Sequence, residues 1–233
     1  MKQIFFMLGV VLFPLLIHAQ DLPFRSPDYD SIRMKIEDAS SPYFYPKLMS
    51  RWIALDTSLI PEDYRCLYYG YTFQPAYDPY WRSPDEEKLA GFFLKQELQN
   101  NDYEEIVRLV SHSLGGFPFD LKQMNLLAYA TQMKGDTLRA RKIRDQFGQL
   151  VRAIMSSGDG KTCATGIHVI AVSHEYVILK LFQFEFKSQS LTPDLCDYLH
   201  VIKDKRAVDG IYFNIKKLWD VNVARLKSRT MKQ

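Results

Sequence analysis

Ile154-Met155-Ser156-Ser157-Gly158-Asp159-Gly160-Lys161-Thr162 is the stretch across which the apolar residues change their period. Before it, Ala140, Ile143, Phe147, Leu150, Val151 and Ile154 step by three and four, the spacing that lays apolar side chains along one side of a helix. Beyond it the chain turns β-branched and aromatic and alternates, the period of a strand with one buried side. The small, glycine-rich residues between the two mark a turn. Helices first and strands second give an α+β fold, in which an N-terminal helical half packs on a C-terminal four-stranded antiparallel sheet.

Upstream, a helix over 120–134 carries Leu121, Met124, Leu127 and Ala128 and ends at Gly135-Asp136. Another follows Asn101 and Asp102, with Tyr103, Ile106, Val107 and Val110 at helical spacing, and stops at Gly115-Gly116. Ser83-Pro84-Asp85-Glu86 has the capping chemistry that opens an earlier one. Residues 20–46, rich in Pro, Ser and Asp, read as a short extended lead-in and then helices, so the helical part runs over about 44–156. Helix pairs joined at Gly-Asp turns are similar to tetratricopeptide repeats, although only one pair and a degenerate earlier one are visible. A free-standing solenoid needs three or more.

Downstream, strands are expected at 164–172, 176–186, 196–202 and 211–215, within a sheet part of about 161–217, with a tight turn at Ser173-His174-Glu175. The second of these is apolar on both sides and is expected at the sheet's centre. A frayed helix follows Trp219.

At the start, Lys2, the uncharged apolar run 4–17 and the small residue Ala19 have the three parts of a signal peptide, expected to span 1–19 and to be removed. The run is shorter than the roughly 20 apolar residues of a membrane span and contains Pro14. Gln20, where a lipoprotein would have cysteine, excludes that anchor. The expectation is an exported protein, periplasmic or secreted, whose body 20–233 is one α+β domain with no stable membrane insertion after cleavage. A net charge of +3 argues against a nucleic-acid partner. Of the three cysteines one must stay unpaired. Cys163 and Cys196 both fall where strands are expected, and a strand between them would part their backbones by about 10 Å. A bridge reaches about 7 Å, so unpaired cysteines are expected.

Motifs that look chemical are incomplete. Ser111-His112-Ser113-Leu114-Gly115 resembles a nucleophile elbow but lacks its leading glycine and its preceding strand. Gly158-Asp159-Gly160-Lys161-Thr162 looks like the end of a phosphate-binding loop, yet Met155 stands where a glycine is needed. His168, His174, Glu175 and His200 lack paired-ligand spacing, so neither metal nor cofactor is expected. A carboxylate cluster of Asp159, Glu175 and Asp197 at one sheet end remains open to acid/base work. Between Tyr64 and Trp81 lie eight aromatics, which either weld a loop to the helices or face a partner.

Leu67-Tyr68-Tyr69-Gly70-Tyr71 with Phe73-Gln74, Ser157-Gly158-Asp159-Gly160, His174-Glu175-Tyr176, Cys196-Asp197-Tyr198-Leu199 and Tyr212-Phe213 span nearly the whole body. In that order and spacing they resemble an uncharacterised family of exported bacterial proteins, domain of unknown function 4919. The resemblance implies an exported single-domain protein and carries over no activity or catalytic residue. The leading expectation is therefore a non-enzymatic protein that binds a protein, peptide or glycan, with Tyr68, Tyr69, Tyr71, Trp81, Asp159, His174 and Glu175 as candidate binding residues. The alternative is an envelope hydrolase acting from the sheet edge near Asp159, His174 and Glu175.

Overall fold

The computed structural model describes residues 24–230, so the expected signal peptide lies outside the described residues. The chain opens with α1 (Tyr29–Glu37), α2 (Tyr45–Ile53) and α3 (Pro61–Gly70), and a 3-10 turn at Tyr71–Phe73 follows. Then come α4 (Glu86–Phe93), α5 (Asn100–Gly116), α6 (Leu121–Met133) and α7 (Thr137–Met155). The sheet half contains β1 (Ile167–His168), α8 (Val172–Leu181), β2 (Phe186–Leu191), β3 (Cys196–Val201), β4 (Gly210–Asn214) and α9 (Lys216–Thr230).

The helices start where local chemistry favours it. Carboxylates accept the orphan amides of the first turns: Asp28 from Ser31 N–H at 2.9 Å, Asp120 from Gln123 N–H at 3.0 Å, and Asp136 from Arg139 N–H at 3.1 Å. Helices α5, α6 and α7 match the expected ones closely, and they pack against one another in sequence order. The helical half begins earlier than the expected residue 44, because Ile32 and Ile36 of α1 are buried. Every residue of α3 from Asp63 to Gly70 is buried, so this helix has no solvent side and forms the axis of the core.

The four strands lie in the order β1-β4-β3-β2. The β2–β3 and β3–β4 pairs are antiparallel, but β1 runs parallel to β4, with Ile167 opposite Phe213. The sheet is therefore mixed, not antiparallel as expected. Along β3, Asp197, Leu199 and Val201 are buried toward the helices, whereas Tyr198 and His200 face outward.

The largest correction concerns 176–186, expected as a central strand. Most of it is helix α8, which starts at Val172, so the expected turn at Ser173-His174-Glu175 is its first turn. A short, largely apolar run has no clear period that separates a buried strand from a buried helix. Here His174, Glu175, Ile178 and Leu179 form the buried side, at helical spacing. The strand that does follow, β2, has no buried residue and hence no apolar alternation to reveal it.

The cysteine expectation is also overturned, because Cys163 and Cys196 are bridged, with Cα atoms 5.7 Å apart. The premise of an intervening strand holds, since β4 separates β1 from β3. Cys163, however, sits before β1, in a loop that folds across the sheet end. Cys66 is buried and free. That same loop explains Ser157-Gly158-Asp159-Gly160. A Cβ on Gly158 would stand 2.3 Å from the Thr165 carbonyl oxygen and 2.4 Å from that of Gly166. Gly160 adopts φ +67° and offers its carbonyl to Tyr212 N–H. The glycines serve close backbone approach between helix and sheet.

Two outcomes follow. Denatured, unreduced protein should titrate as one thiol per chain, and Cys163→Ala with Cys196→Ala should lower urea stability by about 3–4 kcal/mol, the loop-closure value for a separation of 33 residues. Gly158→Ala should cost about 3 kcal/mol in the same assay, because backbone carbonyls cannot move aside as side chains do.

Candidate functional site

Helix α8 places His174 and Glu175 in its first turn, about 100° apart around the axis, so the two neighbours serve different surroundings. Both are fully buried.

His174 points into the helical core. Tyr68 Oη accepts the Ile170 N–H at 3.2 Å and lies 2.7 Å from His174 Nδ1. The tyrosine hydroxyl therefore donates to Nδ1, and the ring proton resides on Nε2. The imidazole stacks on Phe117, with centroids 5.6 Å apart and planes 7° from parallel, and on Tyr68 from another direction. Burial drives its pKa down to about 3, against a weaker opposing interaction with the Phe119 backbone. His168, on β1, is likewise held neutral, its pKa lowered to about 4 by burial and by the Arg65 charge.

Glu175 points toward the sheet, where it meets Asp197 of β3. Burial is the main cause that raises the Glu175 pKa to about 10, and the charge and hydrogen bond of Asp197 add to it. Neither Glu175 oxygen meets a hydrogen-bond partner in good geometry among the described residues, so the two carboxyls influence one another as close neighbours. Asp197 is raised too, chiefly by burial, while hydrogen bonds from Gln189 and Glu175 work in the opposite direction. Burial of both carboxyls disfavours two charges, and Glu175, the more deeply buried of the two, keeps its proton. Tyr176 donates to Gln189 Oε1, and Gln189 in turn opposes the rise of the Asp197 pKa. Tyr176 and Gln189 thus stand on the exposed side of Asp197 and the buried Glu175.

Asp159 joins neither group. Its carboxylate accepts from Lys161 N–H at 3.0 Å and from Thr165, which hold its pKa below the usual carboxylate range. Of the expected carboxylate trio, only Glu175 and Asp197 meet. The histidines disperse as well: His174 lies in the core, while His200 faces outward against Tyr198. Among the described residues no group of three metal-binding side chains converges. Ser111 to Gly115 form the C-terminal part of α5, and His112 Nδ1 pairs with Asp85 at 2.6 Å.

The aromatic segment is turned inward. Tyr68, Tyr69, Tyr71 and Tyr77 are buried, and Trp81 lies half-buried across the Gly116 backbone. The rings of these four tyrosines pack in the core. What sequence reasoning missed is Gln189 and Tyr176, which carry no signal without the register of β2 on β3. It also missed a concavity between α4 and α6, lined by Leu89, Ala90, Phe93, Gln123 and Leu126, of about 190 Å³. Gln123 Oε1 is buried in this region without a partner among the described residues. A second hollow, of about 540 Å³, lies around residues 97–101 with Tyr103 and Met133.

Against known proteins, the family model described as Domain of unknown function (DUF4919) matches residues 30–223, and the chain belongs to that family. No curated protein and no solved structure matches.

These buried groups make stability depend on pH. His174 and His168 have folded pKa values below the ordinary one, so stability is lost as pH falls from about 6.5 toward their folded values. Glu175 has a raised folded value, so its contribution is complete below about 4.5 and is lost as pH rises toward 10. Maximal stability is expected near pH 6.5. On the alkaline side the wild type should lose stability with each pH unit, on the order of 1 kcal/mol, and Glu175→Gln should flatten that limb in urea melts at pH 7, 8 and 9.

Proposed function

We propose that this member of the family is a non-enzymatic exported protein that binds a protein partner through the α4–α6 face of its helical layer. The observation that carries the reading is the small concavity with its apolar rim. At about 190 Å³ it is below the range of roughly 300–1,000 Å³ that holds a metabolite, and it suits one large apolar side chain. Phe93 and Leu94, the latter 87% exposed, extend that apolar surface beyond α4. Helix α4 itself buries only Leu89, so it is held lightly and can adjust to a ligand. The successive packing of α5, α6 and α7 supports a tetratricopeptide-like reading of this layer, whose concave surfaces commonly take peptides.

Export is part of the proposal. The Cys163–Cys196 bridge supports it, since such bonds persist in oxidising compartments. No helix among the described residues is long and apolar enough to cross a membrane, in keeping with a body not stably inserted in one.

A second reading, an envelope hydrolase, has the Glu175–Asp197 pair in its favour, because a carboxyl that keeps its proton is the raw material of acid/base catalysis. Against it, Glu175 is fully buried and Asp159 stands apart.

A photo-crosslinking residue at position 94 should form adducts with a polypeptide in envelope extracts, identified by mass spectrometry, whereas the same residue at exposed Lys203 should not. Leu126→Asp, which fills the concavity with charge, should remove the adduct at 94. Equal crosslinking at both positions, or none at either, would refute this placement.

A further inference from the structure

The sheet has two edges, and the protein treats them differently. At the β1 edge the outward backbone groups have partners: Ser157 Oγ accepts the His168 N–H at 2.8 Å, and Tyr69 Oη approaches the His168 carbonyl at 3.5 Å. At the β2 edge, among the described residues, no backbone hydrogen bond arrives from the side away from β3.

Which groups are left open follows from the ladder. Thr192 N–H donates to the Cys196 carbonyl at 2.8 Å, and the same register places Ser190 opposite Tyr198 and Leu191 opposite Asp197. Hydrogen-bonded and non-bonded pairs alternate in an antiparallel ladder. Ser190 and Ser188 therefore bond toward β3, while the N–H and C=O groups of Gln189 and Leu191 point away from it. Lysines, prolines and bulges usually blunt such an edge. Here the bulge falls between Phe186 and Ser188, ahead of the open groups, and Lys187 is the sole charge within the strand. Beside the open edge on the α8 side stand Tyr176, Phe186 and Leu191, all exposed, with the rings of Tyr176 and Phe186 in edge contact at 5.2 Å.

We propose that β2 is the interface for a second copy of this chain, joined antiparallel across a two-fold axis through Ser190. That axis pairs Gln189 with the partner's Leu191 and Leu191 with the partner's Gln189, so the N–H and C=O groups of both residues are satisfied in each copy. The interface is isologous, as a two-fold requires. The charges agree with it: no like charges face each other, and each Lys187 lies against the Thr192–Leu195 turn of the other copy, which carries Asp194. The eight-stranded sheet so formed covers Tyr176, Phe186 and Leu191 and leaves the α4–α6 face free, so it is independent of the partner-binding proposal.

Ser190 is the position that tests the register, because it sits opposite itself and is exposed on the outer side of the sheet. Like charges placed directly opposite oppose pairing, and opposite charges favour it. In sedimentation velocity the disulfide-intact protein should be a dimer. Ser190→Glu and Ser190→Lys should each dissociate it, weakening association at least ~10-fold with unchanged circular dichroism and thermal midpoint. Mixing the two variants should restore dimers containing one copy of each, resolved by native mass spectrometry. A wild type that stays monomeric up to millimolar concentration would overturn the proposal and leave the edge to an extended segment of another protein. A dimer that survives both variants, or a mixture that stays monomeric, would overturn it equally.

Discussion

The constraint on which this structure depends is the burial of an irregular backbone. Between β1 and α8 the chain crosses the core at Val169, Ile170 and Ala171, all buried and none in a strand or helix that would satisfy their peptide groups. An unpaired peptide group in such a place costs about as much as a lost hydrogen bond. Tyrosines supply the missing partners: Tyr68 Oη takes the Ile170 N–H, and Tyr77 Oη donates to the Ile170 carbonyl at 2.6 Å. Val169 N–H finds the Asn214 carbonyl. Phenylalanine at both positions would fill the same volume and leave both Ile170 groups bare. This accounts for tyrosine at positions 68 and 77, where rings alone would satisfy packing.

The same hydroxyl chemistry explains why α3 has no exposed side. Its tyrosines reach in several directions, Tyr68 to the crossover, Tyr69 toward the Ala153 carbonyl of α7, and Tyr71, just beyond its end, to the Gly116 carbonyl of α5. Arg65 adds a buried guanidinium that donates to Ser156 Oγ and to the Arg25 carbonyl, tying the lead-in to the end of α7. Burial lowers its pKa, yet the site sits at a helix C-terminus, where the backbone favours a cation.

Sequence reasoning recovered the elements that bury one stripe and expose another. Helices α5 and α7 have clean three-and-four spacing because solvent covers their other sides. It could not recover the path of α3 or α8, because a helix buried all round loses the contrast that periodicity reads, and an apolar run such as Tyr176 to Leu181 fits strand and helix alike. Strand β2 failed for the opposite reason, having no buried residue at all. The candidate site followed the same division. Glu175 and Asp197 were both visible as carboxylates. Their meeting depends on α8 being a helix laid over β3, and that information lies only in tertiary packing.

That arrangement also divides the sheet into two kinds of anchorage. At the β1 end the attachments are covalent or steric: the Cys163–Cys196 bridge, and the Gly158 backbone pressed against the carbonyls of Thr165 and Gly166. None of these titrates in the neutral range. Where α8 lies on β3, the helix is seated through a carboxyl pair that must keep a proton, with no neighbouring cation among the causes that set either pKa. Alkaline conditions therefore act on the seat of α8 before they act on the loop at the other end. Gln189, which opposes the rise of the Asp197 pKa, and Tyr176, which donates to Gln189, stand beside the strand whose backbone is open.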